Sequence, residues 1–217
     1  LPYCNCNYNM EETKEITQII DKDARLLIKC DKDKFLNIVD NYRIVHTATH
    51  ANVDVYHPEN SNIVFNDGVI SKLYAKDIYT HQINPELLVL SACQTAKGKL
   101  KKGEGVMSLS RAFLASGTKS VISSYWSVND KSTKEIMIDF YSNLKGGKQK
   151  HHALRNAKLV YLDKMQVDKL YAPKYWASFA SYGDDHSIYK KSYPKTLLLL
   201  VFIPIFALMC FSVISRK

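Results

Sequence analysis

Short apolar runs alternate with amphipathic segments along most of the chain. The runs at residues 42–50, 87–90 and 119–124 are rich in β-branched or leucine side chains, a pattern typical of buried strands. A final strand is predicted at residues 175–184, and weaker strand patterns lie at residues 24–30 and 63–65. Helical spacing of apolar residues predicts helices at residues 10–20, 31–40, 104–116, 131–145 and 149–163, with a short helical turn at residues 77–83.

The order of these elements indicates the fold class. Strands that alternate with helices are typical of an α/β fold with a mostly parallel sheet and helices on both faces. Residues 51–68 read as a loop rich in Asn and Asp, with Pro58, Ser61 and Gly68. Asp31 is the expected N-cap of its helix, and Gly117 the expected stop of the helix over residues 104–116.

The last part of the chain has a different pattern. Residues 197–214 carry no charged side chain, and as a helix they would span about 27 Å, close to the hydrocarbon core of a bilayer. The sequence therefore predicts a single transmembrane helix at 197–214, after a polar linker at 185–196 and before a basic tail at 215–217. Lysines just before the apolar run favour a cytoplasmic position for the main domain.

Composition narrows the candidates only a little. The chain has 217 residues and a formal net charge of +9, which is compatible with an anionic partner or with a basic flank beside a membrane. No aromatic-basic motif points to nucleic acid. Five scattered cysteines without paired spacing favour a reducing compartment over a disulfide framework.

One thiol stands in a position suited to chemistry. Cys93 follows the apolar run at 87–90, and His50 ends the run at 42–50. The carboxyl ends of parallel strands share one edge of a sheet, so a cysteine and a histidine can meet there, and imidazole can activate a thiol. Taken alone, this stretch favours Cys93 as a small core residue, because most lone cysteines do no chemistry. His46 fits best as a buried histidine with a hydrogen-bonded ring, and a metal site of His46 and His50 lacks a third ligand.

Longer motifs resemble a known family. The resemblance covers residues 1–184 and is to the CHAT family of caspase-like cysteine peptidases, which are often joined to tetratricopeptide repeats. It implies a caspase-like three-layer sandwich, whose earlier strands and upstream repeats would precede Leu1. The segments that carry it are 47-TATH-50, 90-LSACQTAKG-98, 103-GEGVMSLSRAFLASGTKSVISSYWSVND-130 and 175-YWASFASYGD-184.

The resemblance also assigns catalytic roles. His50 would be the general base and acid, and Cys93 the nucleophile, as in the wider caspase, separase and gingipain clan. The backbone N–H groups of Ala51 and Cys93 would bind the oxyanion. The clan usually has glycine where this chain has Ala51. Alanine preserves the N–H but would be strained if the position required a positive φ.

Substrate contacts follow from the same resemblance. The segment 123-SSYW-126, with Ser123 and Trp126, resembles the strand along which an extended peptide substrate pairs. Asp130 could contact a basic side chain before the scissile bond, although an N-cap role for Asp130 is favoured. Lysines 97, 99, 101 and 102 would repel such a substrate at longer range.

Two functions of different classes are therefore expected. The first is a membrane-anchored cysteine endopeptidase with a protein or peptide substrate and neither metal nor cofactor. The second is a catalytically weak or inactive CHAT module that acts as an interaction scaffold at a membrane. Labelling of Cys93 that depends on His50 would distinguish them.

Overall fold

The computed structural model describes residues 7–20, 24–27, 30–54, 56–66, 68–91, 104–127, 129–165 and 169–190. Its helices are α1 (Asn7–Ile20), α2 (Lys32–Ile38), α3 (Ala75–Ile78), α4 (Glu104–Ala115), α5 (Asp130–Lys145), α6 (Lys150–Lys164) and α7 (Pro173–Trp176). Its strands are β1 (Ile44–Thr47), β2 (His50–Asn52), β3 (Asn62–Asn66), β4 (Ile70–Tyr74), β5 (Leu87–Leu90), β6 (Ser120–Ser124) and β7 (Phe179–Gly183).

The main sheet of the described chain has the strand order β1-β5-β6-β7. Strands β1, β5 and β6 are parallel, and β7 pairs antiparallel with β6, so the sheet is mixed. Every residue of β5 is buried, because Leu87 and Val89 face one core while Leu88 and Leu90 face another. A strand covered on both faces has no polar face, which explains its continuous apolar sequence.

Helices cover both faces of this sheet. On one face α1, α5 and α6 contribute Ile16, Phe140, Ala157 and their neighbours to one core. On the other face, α4 packs with α2, α3 and the second sheet through residues such as Phe113 and Phe35. The α/β architecture agrees with the prediction. Asp31 caps α2 as expected, since its carboxylate accepts a hydrogen bond from the N–H of Lys34 at 2.7 Å.

A second sheet was not predicted. Strands β2, β3 and β4 form an antiparallel sheet in that order within the described residues. The sequence interpretation placed a loop over most of this region and no strand at β4. The sequence of β4 shows no clear alternation of apolar and polar residues. Apolar side chains occur on both of its faces, at the largely exposed Ile70 and at the buried Leu73. Residues 24–27, part of a predicted strand, form no strand, and Cys30 makes only an isolated bridge to Asn66.

The predicted C-terminal transmembrane helix requires a correction. Across the described residues, no helix has both the length and the apolar character that crossing a bilayer requires. The longest of these helices, α5, has 16 residues and carries several charges, whereas a membrane span needs about 20 apolar residues. Residues 197–214 lie outside the described part of the chain. The described residues therefore form an α/β fold with a mixed sheet, and none of their helices spans a membrane.

The end of β7 is fixed by backbone geometry and by a buried charge. Gly183 has a φ of 86°, a conformation that favours glycine. The N–H of the next residue, Asp184, donates to the carbonyl of Lys119 at 2.8 Å. The Asp184 carboxylate also accepts a hydrogen bond from Lys150 Nζ at 2.9 Å, and the Lys150 side chain is only 1 % exposed. The Gly-Asp pair that ends the last quoted motif thus has a structural role.

Candidate active site

Three parallel strands end together at one edge of the main sheet. In their register Thr47 of β1 lies beside Leu90 of β5, and Leu90 lies beside Ser123 of β6. The chain continues from these three ends toward His50, Cys93 and Trp126. Open α/β sheets hold their ligands outside the carboxyl ends of the strands, so this edge is the candidate active site.

His50 lies close to the predicted position but in a different element. The strand predicted to end at His50 ends at Thr47, and His50 begins β2 of the antiparallel sheet, where it pairs with Val64. The two residues between these strands are buried, and the hydroxyl of Thr49 donates to the carbonyl of Val64. The half-buried His50 is thus anchored by both sheets.

Cys93 itself lies outside the described residues, so the dyad stays a prediction. The structure describes the approach to it as far as Ser91. The N–H of Ser91 donates to the carbonyl of Thr47 at 2.9 Å, which continues the pairing of β5 with β1 by one residue. In the sequence, His50 and Cys93 each follow their paired strand ends, Thr47 and Leu90, by three residues.

Ala51 is a buried strand residue. It lies in β2 opposite Ile63, and its side chain is 4 % exposed. An extended strand accommodates alanine without strain, so the concern about a positive φ at this position loses its basis.

We expect Ala51→Gly to reduce stability without improving the site. Loss of a buried methyl group and the greater backbone entropy of glycine should lower the free energy of unfolding by about 1–1.5 kcal/mol. The rate of Cys93 labelling by a peptide probe should stay within about twofold of wild type, since the strand already fits alanine. Urea unfolding and labelling kinetics measure the two effects. A large gain in labelling would show that the alanine distorts the oxyanion site.

The predicted substrate segment divides into two parts. Ser123 is buried within β6, its hydroxyl lies 2.8 Å from that of Ser110, and its backbone is flanked by β5 and β7. Tyr125 and Trp126 come after the strand end and are half-buried. The Trp126 indole N–H donates to the carbonyl of Lys174 at 2.8 Å, which fixes the ring at the edge. This second part can offer an apolar wall to a bound peptide.

The two aromatic rings of this wall pack with a third ring, that of Tyr182. The ring of Tyr125 stacks on Trp126 at 6.3 Å and meets the edge of Tyr182 at 6.4 Å, measured between ring centroids. Burial, together with a hydrogen bond to the Tyr125 hydroxyl, holds the pKa of Tyr182 well above its usual range. The phenol of Tyr182 therefore keeps its proton at neutral pH.

Asp130 does not cap its helix. The N-cap of α5 is Asn129, whose side-chain oxygen accepts from the N–H groups of Lys131 and Ser132 at 3.0 and 3.4 Å. Asp130 is the first residue of the helix, and its side chain is partly exposed. The N-cap interpretation was therefore wrong, and contact with a basic substrate side chain stays a prediction.

Sequence reasoning missed a buried polar group beneath this edge. His46 is buried as predicted, and its Nδ1 lies 3.0 Å from the hydroxyl of Tyr141. Its other nitrogen, Nε2, lies 3.3 Å from Oε1 of Glu12, a carboxylate on α1 that is fully buried. A signal for Glu12 existed, because it precedes the buried Ile16 by four residues and thus shares its helix face.

Comparison with known proteins shows one family and two relatives to which this chain is similar. A family described as the CHAT domain matches residues 5–184. Tetratricopeptide repeat protein 28 of Mus musculus is 33 % identical over 114 residues, and the protein of the same name from Homo sapiens is 35 % identical over 114 residues. These alignments cover 52 % of this chain but 4 % of each relative, so the chain spans a small part of their length.

Proposed function

Because this chain belongs to the CHAT domain family, we propose that it is a cysteine endopeptidase that uses a dyad of His50 and Cys93. The observation that carries the proposal is the common edge of β1, β5 and β6, after which the two dyad residues and the aromatic wall follow. Hydrolysis of a peptide bond by a cysteine peptidase requires a nucleophile, a base and a substrate-binding surface close together. The common edge of the three strands supports such a grouping in this proposal.

The proposed chemistry is that of acyl transfer. His50 accepts the proton of the Cys93 thiol, and the thiolate attacks the scissile carbonyl carbon. The negative oxygen that develops is bound by the N–H groups of Ala51 and Cys93. His50 then gives the proton to the leaving amine, and water hydrolyses the thioester with His50 again acting as base. The products are a free carboxylate and the regenerated thiol.

An interaction module is the second candidate function. It is supported by the name of the relatives, which describes tetratricopeptide repeats. In that case the CHAT domain would serve as a binding unit within a longer protein. Such a module has no need for a histidine that activates Cys93, so thiol reactivity separates the two candidates.

The deciding experiment labels the intact protein with a peptide that carries a thiol-reactive carbonyl group. We expect modification at Cys93, located by mass spectrometry, and a loss of at least about 100-fold in rate for His50→Asn, since a general base contributes about 10²–10⁴-fold. His152→Asn is the matched control, because His152 is an exposed histidine on α6, far along the chain from the predicted dyad.

The chain also provides an internal control thiol. Cys30 is buried, so it should remain unmodified under the same conditions. Labelling that is equally fast in His50→Asn and in wild type would reject the endopeptidase and favour the interaction module.

A further inference from the structure

Four polar side chains from different parts of the sequence meet in the core below the candidate active site. Glu12 comes from α1, His46 from β1, Tyr141 from α5, and Ser91 directly follows β5. The hydroxyl of Ser91 donates to Oε1 of Glu12 at 3.2 Å, the same oxygen that faces His46. We refer to these four residues as the buried polar chain.

The proton of Tyr141 can be assigned within this buried polar chain. Burial above all, and then the nearby charge of Glu12, raise the pKa of Tyr141 far above its usual range, so its hydroxyl keeps its proton. If that hydroxyl donates to Nδ1 of His46, the ring proton lies on Nε2, facing the Glu12 carboxylate. The Nε2 to Oε1 contact of 3.3 Å is too poorly aligned for a hydrogen bond, so its attraction is mainly electrostatic.

The burial of the Glu12 carboxylate is energetically unfavourable. A fully buried carboxylate loses its hydration, and the second oxygen of Glu12 has no hydrogen-bond partner within the described residues. An apolar side chain at position 12 would pack beside Ile16 without that penalty. Its cost indicates that the polar chain does something other than stabilise the fold.

The group that the polar chain holds is Ser91. Its backbone is tied to β1 through the carbonyl of Thr47, and its side chain is tied to α1 through Glu12. Ser91 is fixed from two directions, and Cys93 comes two residues later. His46 belongs to β1, the strand that leads to His50. One buried network therefore connects the two segments that lead to the predicted dyad residues.

We propose that Glu12, His46 and Tyr141 are positioning residues that hold Ser91 and thereby set the place of Cys93 relative to His50. This inference rests on the function proposed above. Misplacement of a reacting group by about 1 Å can reduce a rate about 100-fold. A rigid support at Ser91, two residues before the predicted nucleophile, should therefore affect the chemical step more than substrate binding.

The test compares two variants of the polar chain with two matched variants elsewhere. Ser91→Ala removes the tether to Glu12, and Tyr141→Phe removes the hydroxyl on His46. The control for the first is Ser116→Ala, since Ser116 is a buried serine with one bond to the carbonyl of Phe113. The control for the second is Tyr161→Phe, since Tyr161 is a fully buried tyrosine whose hydroxyl contacts Ser132 and Leu170.

Peptide-probe labelling of Cys93 should separate the pairs. For Ser91→Ala and Tyr141→Phe we expect the maximal labelling rate to fall at least about tenfold, while the probe concentration at half-maximal rate changes less than about threefold. The two controls should lose a similar few degrees of melting temperature yet label within about twofold of wild type. Equal labelling within each matched pair would overturn the proposal.

A second measurement keeps the two proposals distinguishable. If wild type shows no labelling that depends on His50, the endopeptidase fails, and the positioning role is judged by amide hydrogen exchange over residues 87–91. There Tyr141→Phe and Glu12→Gln should exchange at least about tenfold faster than Tyr161→Phe. Equal exchange in these variants would show that the polar chain does not hold Ser91.

Discussion

The substitution Gly183→Ala should destabilise the domain strongly. A Cβ atom added to Gly183 would lie 2.3 Å from the backbone carbonyl oxygen of Lys119 and 3.2 Å from Cα of Ser120. Both atoms belong to the backbone next to β6, so they cannot rotate away as a side chain would. With the cost of a positive φ added, we expect Gly183→Ala to lower the free energy of unfolding by about 4 kcal/mol, against typical totals of about 5–15 kcal/mol.

Gly68 provides the matched control for this substitution. It also has a positive φ, 119°, but an added Cβ would meet nothing within 4 Å. Gly68→Ala should therefore cost only the conformational part, about 1–2 kcal/mol. Urea unfolding of both variants gives the comparison. Similar losses at the two positions would mean that the approach of β7 to Lys119 relaxes easily.

The buried lysine beside this turn gives the second large effect. In Asp184→Ala the Lys150 ammonium stays buried and, among the described residues, retains only the carbonyl of residue 184 as a partner. Breaking a buried ion pair costs about 3–5 kcal/mol, and because Asp184 is 35 % exposed we discount this to about 2 kcal/mol. The double variant Lys150→Met with Asp184→Ala should recover at least half of that loss, because no buried charge is left unpaired.

Acid should reduce the difference between wild type and Asp184→Ala. Hydrogen bonding to His186, and then to Lys150, holds the pKa of Asp184 well below its ordinary value of 3.8. A lowered pKa in the folded state gives stability that is present above the unfolded value and is lost as the pH falls through the folded value. Urea midpoints of the two proteins should therefore converge below about pH 4. A constant difference from pH 7 to pH 3 would contradict this origin.

Elements with strong local signals were predicted well. The apolar run at 87–90 is β5, and the helices predicted at 131–145 and 149–163 are α5 and α6 to within one residue at each end. In β5 both faces are buried, and in α5 residues such as Ile136, Phe140 and Leu144 repeat on one side. In these segments the local pattern and the tertiary environment agree.

The antiparallel sheet escaped prediction for a physical reason. Strand β4 has exposed or half-buried side chains at every position except Leu73, so its sequence lacks clear alternation. Its strand conformation depends on pairing with β3 across the turn at Asn66, whose side chain accepts the N–H of Gly68 at 2.9 Å. Such an edge strand is specified by its partner more than by its own residues.

The position of the candidate site could be predicted from the sequence, but the buried polar residues that support it could not. Strand ends could be placed from the sequence, and with them the edge toward which His50 and Cys93 lead. Glu12 lies within the charged segment 11-EETKE-15, where the exposed Glu11 and the buried Glu12 look alike. The four-residue spacing from Ile16 indicates that Glu12 lies on the buried face of α1, but only the packing of α1 brings its carboxylate to Ser91.

The short connection between the two sheets has a mechanical consequence. Ala48 and Thr49 alone separate β1 from β2, so the antiparallel sheet and His50 must move as one body, whereas Cys93 continues from β5 of the main sheet. A displacement of the hairpin of β3 and β4, which has the exposed Val69 and Ile70 near its tip, would therefore be transmitted to His50 through the pairing of β3 with β2.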